Sequence, residues 1–347
     1  MSGSAVGDGS VARVIVALCG GVGAARMLAG LSSVLDPEEI TAVVNTGDDT
    51  LMHGLHVSPD LDTVTYTLAG AINPTSGWGL QGETWEAMRE LRELSGGRLG
   101  WFNLGDRDLG THLYRTSRLA EGATLSQVTA EVAARWALRL KILPMSDDPV
   151  RTKVFVAGDT GEDAELDFQE YFVKKRHQIP VRRVEVRGAD TAKAAPGVLE
   201  AIASCDRIVI CPSNPVVSIG PVLATGGIGE AVTARRSSTV AVSPIVAGHA
   251  LKGPADRMLA ELGYESSVVG VARMLSRYSA TLVIDEADAE RASEVEAQGM
   301  NVVICPTVMS DEIKAANLAR TVLKTRAAHQ VPLTSGGPEG LRSPDGP

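Results

Sequence analysis

Between Val43 and Tyr66 the chain reads VVNTGDDTLMHGLHVSPDLDTVTY, an apolar run that ends in Asn45-Thr46-Gly47 and opens onto Asp48 and Asp49. Asp60 and Asp62 follow about one loop later. Short acids just beyond a buried strand are the ligands that a hard divalent cation requires. A glycine-rich turn precedes them. VARVIVALCGGVGAAR, Val11 to Arg26, sets Gly20, Gly21 and Gly23 between an apolar run and a helical pattern. Glycine lets backbone N–H groups approach an anion, and a helix N-terminus adds partial positive charge. Acids beside such a turn point to phosphate chemistry rather than hydride transfer. A dinucleotide fingerprint would want a small residue where Arg26 stands and an acid closing the second strand, which closes instead on Asn45. A P-loop would need Gly-Lys-Ser/Thr, absent here. A tight strand-to-helix turn with no ligand would use the same glycines.

Further candidates follow other apolar runs. In CPSNPVVSIGP, Cys211 to Pro221, Ser213 and Asn214 sit between prolines that fix the loop, and Ser218 stands near a possible helix cap. Such a loop holds a phosphate or a base edge, or is simply a rigid turn. Lys252, in VSPIVAGHALKGPADRM, is available to an anion or to solvent. In WFNLGDRDLGTHLYR, Arg107 stands between Asp106 and Asp108, with His112 and Arg115 on later helical turns. Arg107 either pairs with an internal acid or meets a substrate anion. Asp147 and Asp148 precede a proline and read as an ordinary turn. His53 and His56 lack metal-ligand helix spacing and are not assigned to a metal. Trp78 and Trp101 are the aromatics best suited to a flat ligand, although packing explains them equally. No Ser-His-Asp or Cys-His arrangement is readable, which disfavours acyl transfer.

The elements that must hold these residues follow from the apolar pattern. Strands are expected at 12–18, 40–45, 206–211, 238–242, 281–285 and 301–304. Helices are expected at 23–35, 195–204, 226–236, 253–262, 287–298 and 310–327. This alternation predicts an α/β fold, a Rossmann-like parallel sheet with helices on both faces. Residues 73–180 carry longer helical patterns, 82–95 and 124–139, and are expected to form a smaller, mostly helical inserted domain. The core then comprises 11–72 and 181–330, between a flexible leader, 1–10, and a disordered tail, 331–347. Ligands of such sheets lie beyond the carboxyl ends of the strands, where the motifs fall.

The 347 residues carry a formal net charge of -9 and no basic stripe, which argues against a nucleic-acid partner. Cys19, Cys205, Cys211 and Cys305 form no CxxC pair or Cys/His cluster, so they read as reduced thiols rather than a zinc site. With no signal peptide and no membrane-length apolar stretch, a cytoplasmic protein is expected.

Taken together, GGVGAAR, VVNTGDD, HGLHVSPDLDTVTY, WFNLGDRDL, LPMSDDPV, PSNPVVSIGP and VSPIVAGHALKGPA resemble the 2-phospho-L-lactate transferase (CofD) family, whose actinobacterial members are phosphoenolpyruvate transferases of coenzyme F420 biosynthesis. The resemblance spans most of residues 14–260 and is looser beyond Tyr278. It implies a homodimer and Mg2+. It further implies transfer of a phosphoenolpyruvyl or phospholactyl group from a guanosine-diphosphate-activated donor to the ribityl hydroxyl of the deazaflavin Fo, with release of GMP. By motif position, Asp62 and Arg107 match the residues that contact the acceptor. Asp49 and Asp60 are expected to face the cation, and Asp49 and Asp62 to be the catalytic acids. Gly20, Gly21, Gly23, Asn45, Gly47, Ser213, Asn214 and Lys252 are expected to bind the donor's nucleotide and phosphates. The alternative is a nucleotide-sugar-binding regulatory protein of the same superfamily. An NAD-dependent dehydrogenase is disfavoured by Arg26 and Asn45.

Overall fold

The computed structural model describes residues 13–158 and 162–325; the expected leader and tail lie outside the described residues. The strands in chain order are β1 (Ile15–Cys19), β2 (Ile40–Val44), a hairpin of β3 (Thr50–Met52) and β4 (Leu55–Val57), then β5 (Lys141–Pro144). A three-stranded antiparallel sheet follows, from β6 (Arg151–Ala157), β7 (Asp163–Asp167) and β8 (Val181–Arg187). The chain then forms β9 (Arg207–Ile210), β10 (Thr239–Val242), the short pair β11 (Ile245–Val246) and β12 (His249–Ala250), β13 (Thr281–Ile284) and β14 (Asn301–Ile304). Seven strands make one parallel sheet in the order β14-β13-β10-β9-β1-β2-β5. Each strand anticipated from the sequence lies in it.

β1 lies inside the sheet, between β9 and β2, and is buried on both faces. Val16 and Leu18 enter one apolar layer with Ile208 and Ile210; Ile15, Ala17 and Cys19 enter the other with Ala42 and Val44. A strand covered on both sides has no polar face, so it reads as a continuous apolar run. Helix α1 (Gly21–Ser32) and the last described helix, Glu312–Lys324, cover the second layer. They cross closely at Gly30, where a Cβ would stand 2.4 Å from the Ala315 carbonyl oxygen.

Helix α2 (Pro59–Leu68) begins within the acidic stretch. Its start is encoded by a proline in the first turn and by Asp60 and Asp62 against the positive end of the helix dipole. The expected insertion contains α3 (Glu86–Leu94), α4 (Asp106–Ala120) and α5 (Leu125–Arg135), the last opened by a Thr124/Gln127 capping box. Its boundaries need correction, however. Lys141–Pro144 pairs with β2 as an edge strand of the main sheet, and the antiparallel sheet runs past residue 180 to Arg187. β5 is only four residues long, so its own sequence carries little strand signal. All four cysteines are free; three are buried. Among the described residues, no helix is long and apolar enough to cross a membrane.

Candidate active site

The sheet reverses direction of growth between β1 and β9, so the loops leaving these strands diverge and open a crevice at their carboxyl ends. The crevice is a cavity of about 1000 Å³, lined by the loops after β1, β2, β9, β10 and β14 and by residues of the segment 73–180.

Two carboxylates face it from one wall, Asp48 and Asp60. Asn45, at the end of β2, joins them: its Nδ2 donates to Asp60 Oδ2 at 2.9 Å and lies 3.4 Å from Asp48 Oδ1. Gln169 Nε2 donates to Asp48 Oδ2 at 3.3 Å. Burial pushes the Asp60 carboxyl up to about 6, against the Asn45 amide and the Gly21 N–H that stabilise its charge. Asp48 is also raised, by burial first and then by the nearby charges of Asp60 and Asp49. Two buried acids that resist ionising together are relieved by a cation between them. Among the described residues, no group of three or more His, Cys, Asp or Glu side chains has the geometry of a metal cage. Magnesium does not need one, since it is held by one or two carboxylates together with water and substrate phosphates.

Asp49 departs from expectation. It does not line the cavity; its Oδ2 accepts from Ser58 Oγ at 2.7 Å, and its Oδ1 is buried without a partner. A turn closed by Asp49 N–H on the Thr46 carbonyl sends consecutive side chains to opposite sides, so Asp48 takes the cavity side. Burial raises the Asp49 carboxyl to about 7.

Gly20, Gly21 and Gly23 line the cavity, but packing explains their lack of side chains. A Cβ on Gly20 would stand 2.5 Å from Ser218 Cβ, and one on Gly23 2.1 Å from the Pro212 carbonyl oxygen. Gly21 adopts φ +69° and directs its N–H to Asp60. The start of α1 therefore already serves a carboxylate. Gly47 lies behind the wall, against Thr152 Oγ1 and Pro221. Ser213 and Asn214 face the cavity. Asn214, not Ser218, caps the following turn, its Oδ1 accepting from Val216 N–H at 2.9 Å; the Ser213 hydroxyl is buried with no partner. Lys252 reaches across the mouth to the Ser76 carbonyl at 3.3 Å. Arg26, which interrupts the dinucleotide fingerprint, lines the same side and donates to the Met309 carbonyl at 3.1 Å.

Asp62 also faces the cavity, buried and paired with Arg115 of α4. Arg107 does not join it. Arg107 is exposed, outside the lining, with Nη1 donating to the Gln81 carbonyl at 2.8 Å. Asp108, His112 and Arg115 fall at i, i+4 and i+7 of α4 and turn inward together, which places Arg107 on the outer side. That spacing was the signal that could have identified Arg115.

Part of the cavity lining is aromatic. Trp78 and Trp101 belong to it as expected, joined by Trp85, Phe102, Phe168, Phe172 and His177. Phe168 and Phe172 stack at 5.6 Å between centroids, and His177 stacks on Phe172 at 5.3 Å. A flat ring fits such a surface. The acids, two cations and an aromatic wall thus share one cavity, an arrangement suited to joining a phosphate donor to a planar acceptor.

Comparison with known proteins identifies the family. The family model described as 2-phospho-L-lactate transferase CofD matches residues 15–324. The chain is 46% identical over 314 residues to a phosphoenolpyruvate transferase of Kitasatospora aureofaciens, covering 89% of this chain and 96% of that one. It is 41% identical over 319 residues to one of Mycolicibacterium smegmatis, covering 89% and 97%. In fold it resembles a crystal structure of a upf0052 family member from Bacillus halodurans, with a TM-score of 0.55 at 18% identity over 89% of this chain and 98% of that one. The cavity at the β1/β9 switch point, and a match running from the first strand to the last helix, place the chain in the CofD family of transferases.

Proposed function

We propose that the protein transfers a phosphoenolpyruvyl group from an enolpyruvyl-diphosphoguanosine donor to the ribityl hydroxyl of the deazaflavin Fo, releasing GMP. The observation that carries this reading is that Asp48, Asp60 and the aromatic side chains line one cavity. The names of the relatives, phosphoenolpyruvate transferases at 41–46% identity, favour enolpyruvate over lactate. The donor's phosphates lie against Ser213 and Asn214, with Arg26 and Lys252 to balance their charge. The deazaflavin ring stacks on the aromatic wall and its ribityl chain reaches Asp62.

Asp62 orients the attacking hydroxyl. Its oxygen forms a bond to the donor's distal phosphorus as the bond to GMP breaks, in line, and the hydroxyl proton leaves to solvent. Mg2+, held by Asp48 and Asp60, would neutralise charge on the phosphate oxygens. Alignment and charge neutralisation are the main contributions, since phosphoryl transfer asks for little covalent participation by the protein. The reading is tested by mass spectrometry of the products formed from Fo and each synthetic donor. An enolpyruvyl product with GMP is expected. Tight binding of a UDP-sugar with no binding of Fo would replace this reading with that of a nucleotide-sugar-binding protein.

A further inference from the structure

Asp62 reaches the cavity with both carboxylate oxygens already engaged. Arg115 Nη1 donates to Oδ2 at 3.1 Å and Nη2 donates to Oδ1, between side chains that are 4% and 8% exposed. His112 lies against this pair, its Nδ1 3.2 Å from Arg115 Nη1 and 3.8 Å from Asp62 Oδ2. Arginine has only donors, so Nδ1 accepts and the ring proton belongs on Nε2. Nε2 faces Asp108 Oδ2 at 3.4 Å, and the Tyr66 hydroxyl donates to Asp108 Oδ1 at 2.7 Å. Asp62 and Tyr66 lie one turn apart on α2, while Asp108, His112 and Arg115 lie on one face of α4. The chain of contacts therefore ties two helices to one carboxylate.

We propose that Arg115 is the positioning residue that fixes Asp62 for the acceptor, and that His112, Asp108 and Tyr66 hold Arg115 in place. The proposal rests on the transferase reading above. A fork that engages both oxygens removes the carboxylate's rotational freedom before substrate arrives. With both oxygens accepting from Arg115, the carboxylate is set to orient a hydroxyl rather than to turn towards a proton. Lysine keeps the charge of Arg115 but cannot engage both oxygens in one plane. Phenylalanine at Tyr66 removes only the outermost hydroxyl of the chain of contacts.

The test is a double-mutant cycle on Asp62 and Arg115, with kcat and KM for Fo measured at saturating donor. Arg115→Lys is expected to lower kcat by roughly 10–100-fold, with KM changed far less. In the Asp62→Asn background the same substitution is expected to add less than about threefold, because it acts through a carboxylate already lost. Losses that multiply across the two sites, or a wild-type kcat in Arg115→Lys, would overturn the proposal. Tyr66→Phe, a milder variant that keeps the fold, is expected to lose less than Arg115→Lys; no loss at all would remove Tyr66 from the network. Fo fluorescence titration separates the two readings. If the wild type binds Fo without transferring to it, the transferase reading fails and the same cycle is read in Kd. There, Arg115→Lys and Asp62→Asn must each weaken binding and the double variant must match Asp62→Asn. No binding of Fo by the wild type would overturn both.

Discussion

At Asp62, orientation matters more than basicity. Its carboxylate meets the cavity, so Asp62→Asn is expected to lower kcat by about 10²–10⁴-fold at saturating donor; near-full turnover would sink its role. Arg107→Ala is expected to cost less than about tenfold in kcat/KM, since the Arg107 side chain lies outside the cavity and donates to the Gln81 carbonyl. A loss as large as that of Asp62→Asn would show that Arg107 swings inward when Fo binds. Mg2+ is expected to raise the Tm of the wild type and to leave that of Asp60→Asn unchanged. A rise of equal size in Asp49→Asn and the wild type would agree with Asp49 facing inward; its loss in Asp49→Asn would return Asp49 to the cation site. The sequence displayed these acids but not which of them share a wall. Asp48 and Asp49 are neighbours in the chain, and only the turn closed on Thr46 separates their directions.

Between elements, the contact of α2 with α4 deserves a stability test. Burial opposes the charge of Asp108, but the His112 ring beside it and the hydrogen bond from Tyr66 outweigh it and hold the carboxyl below its ordinary value. A depressed folded-state pKa contributes stability that is present above the unfolded value and lost as the pH falls through the folded one. Asp108→Asn is therefore expected to be less stable than the wild type at pH 7, by on the order of 1–3 kcal/mol. The gap should close as the pH drops below about 3.9. Denaturant unfolding across this range checks it, and a gap that widens in acid would contradict this account of Asp108. The start of α2 was legible in principle, from the proline and acids of SPDLD, yet an acidic stretch after a strand reads as loop until its partner helix is known. β5 was not legible: Lys141–Pro144 is a strand because β2 offers it an edge.

For the whole molecule, the parallel sheet was readable because its strands are apolar on both faces and separated by helical periods. The side of the cavity was readable too, since it follows from strand ends. Of the aromatic lining, Trp78 and Trp101 were readable but Phe168, Phe172 and His177 were not, because they come from the segment around the antiparallel sheet and join the same cavity only in the folded chain. We further expect a homodimer, to be checked by light scattering of the full chain; a monomer at working concentration would contradict it. A cavity that holds donor and acceptor together predicts sequential kinetics, with initial-rate lines that intersect, whereas parallel lines would indicate a covalent intermediate. The most direct test of the central claim is the product formed when the purified protein is mixed with Fo, Mg2+ and enolpyruvyl-diphosphoguanosine. The account predicts GMP and a deazaflavin carrying one phosphoenolpyruvyl group on its ribityl chain. Unchanged Fo, with the donor intact, would contradict it.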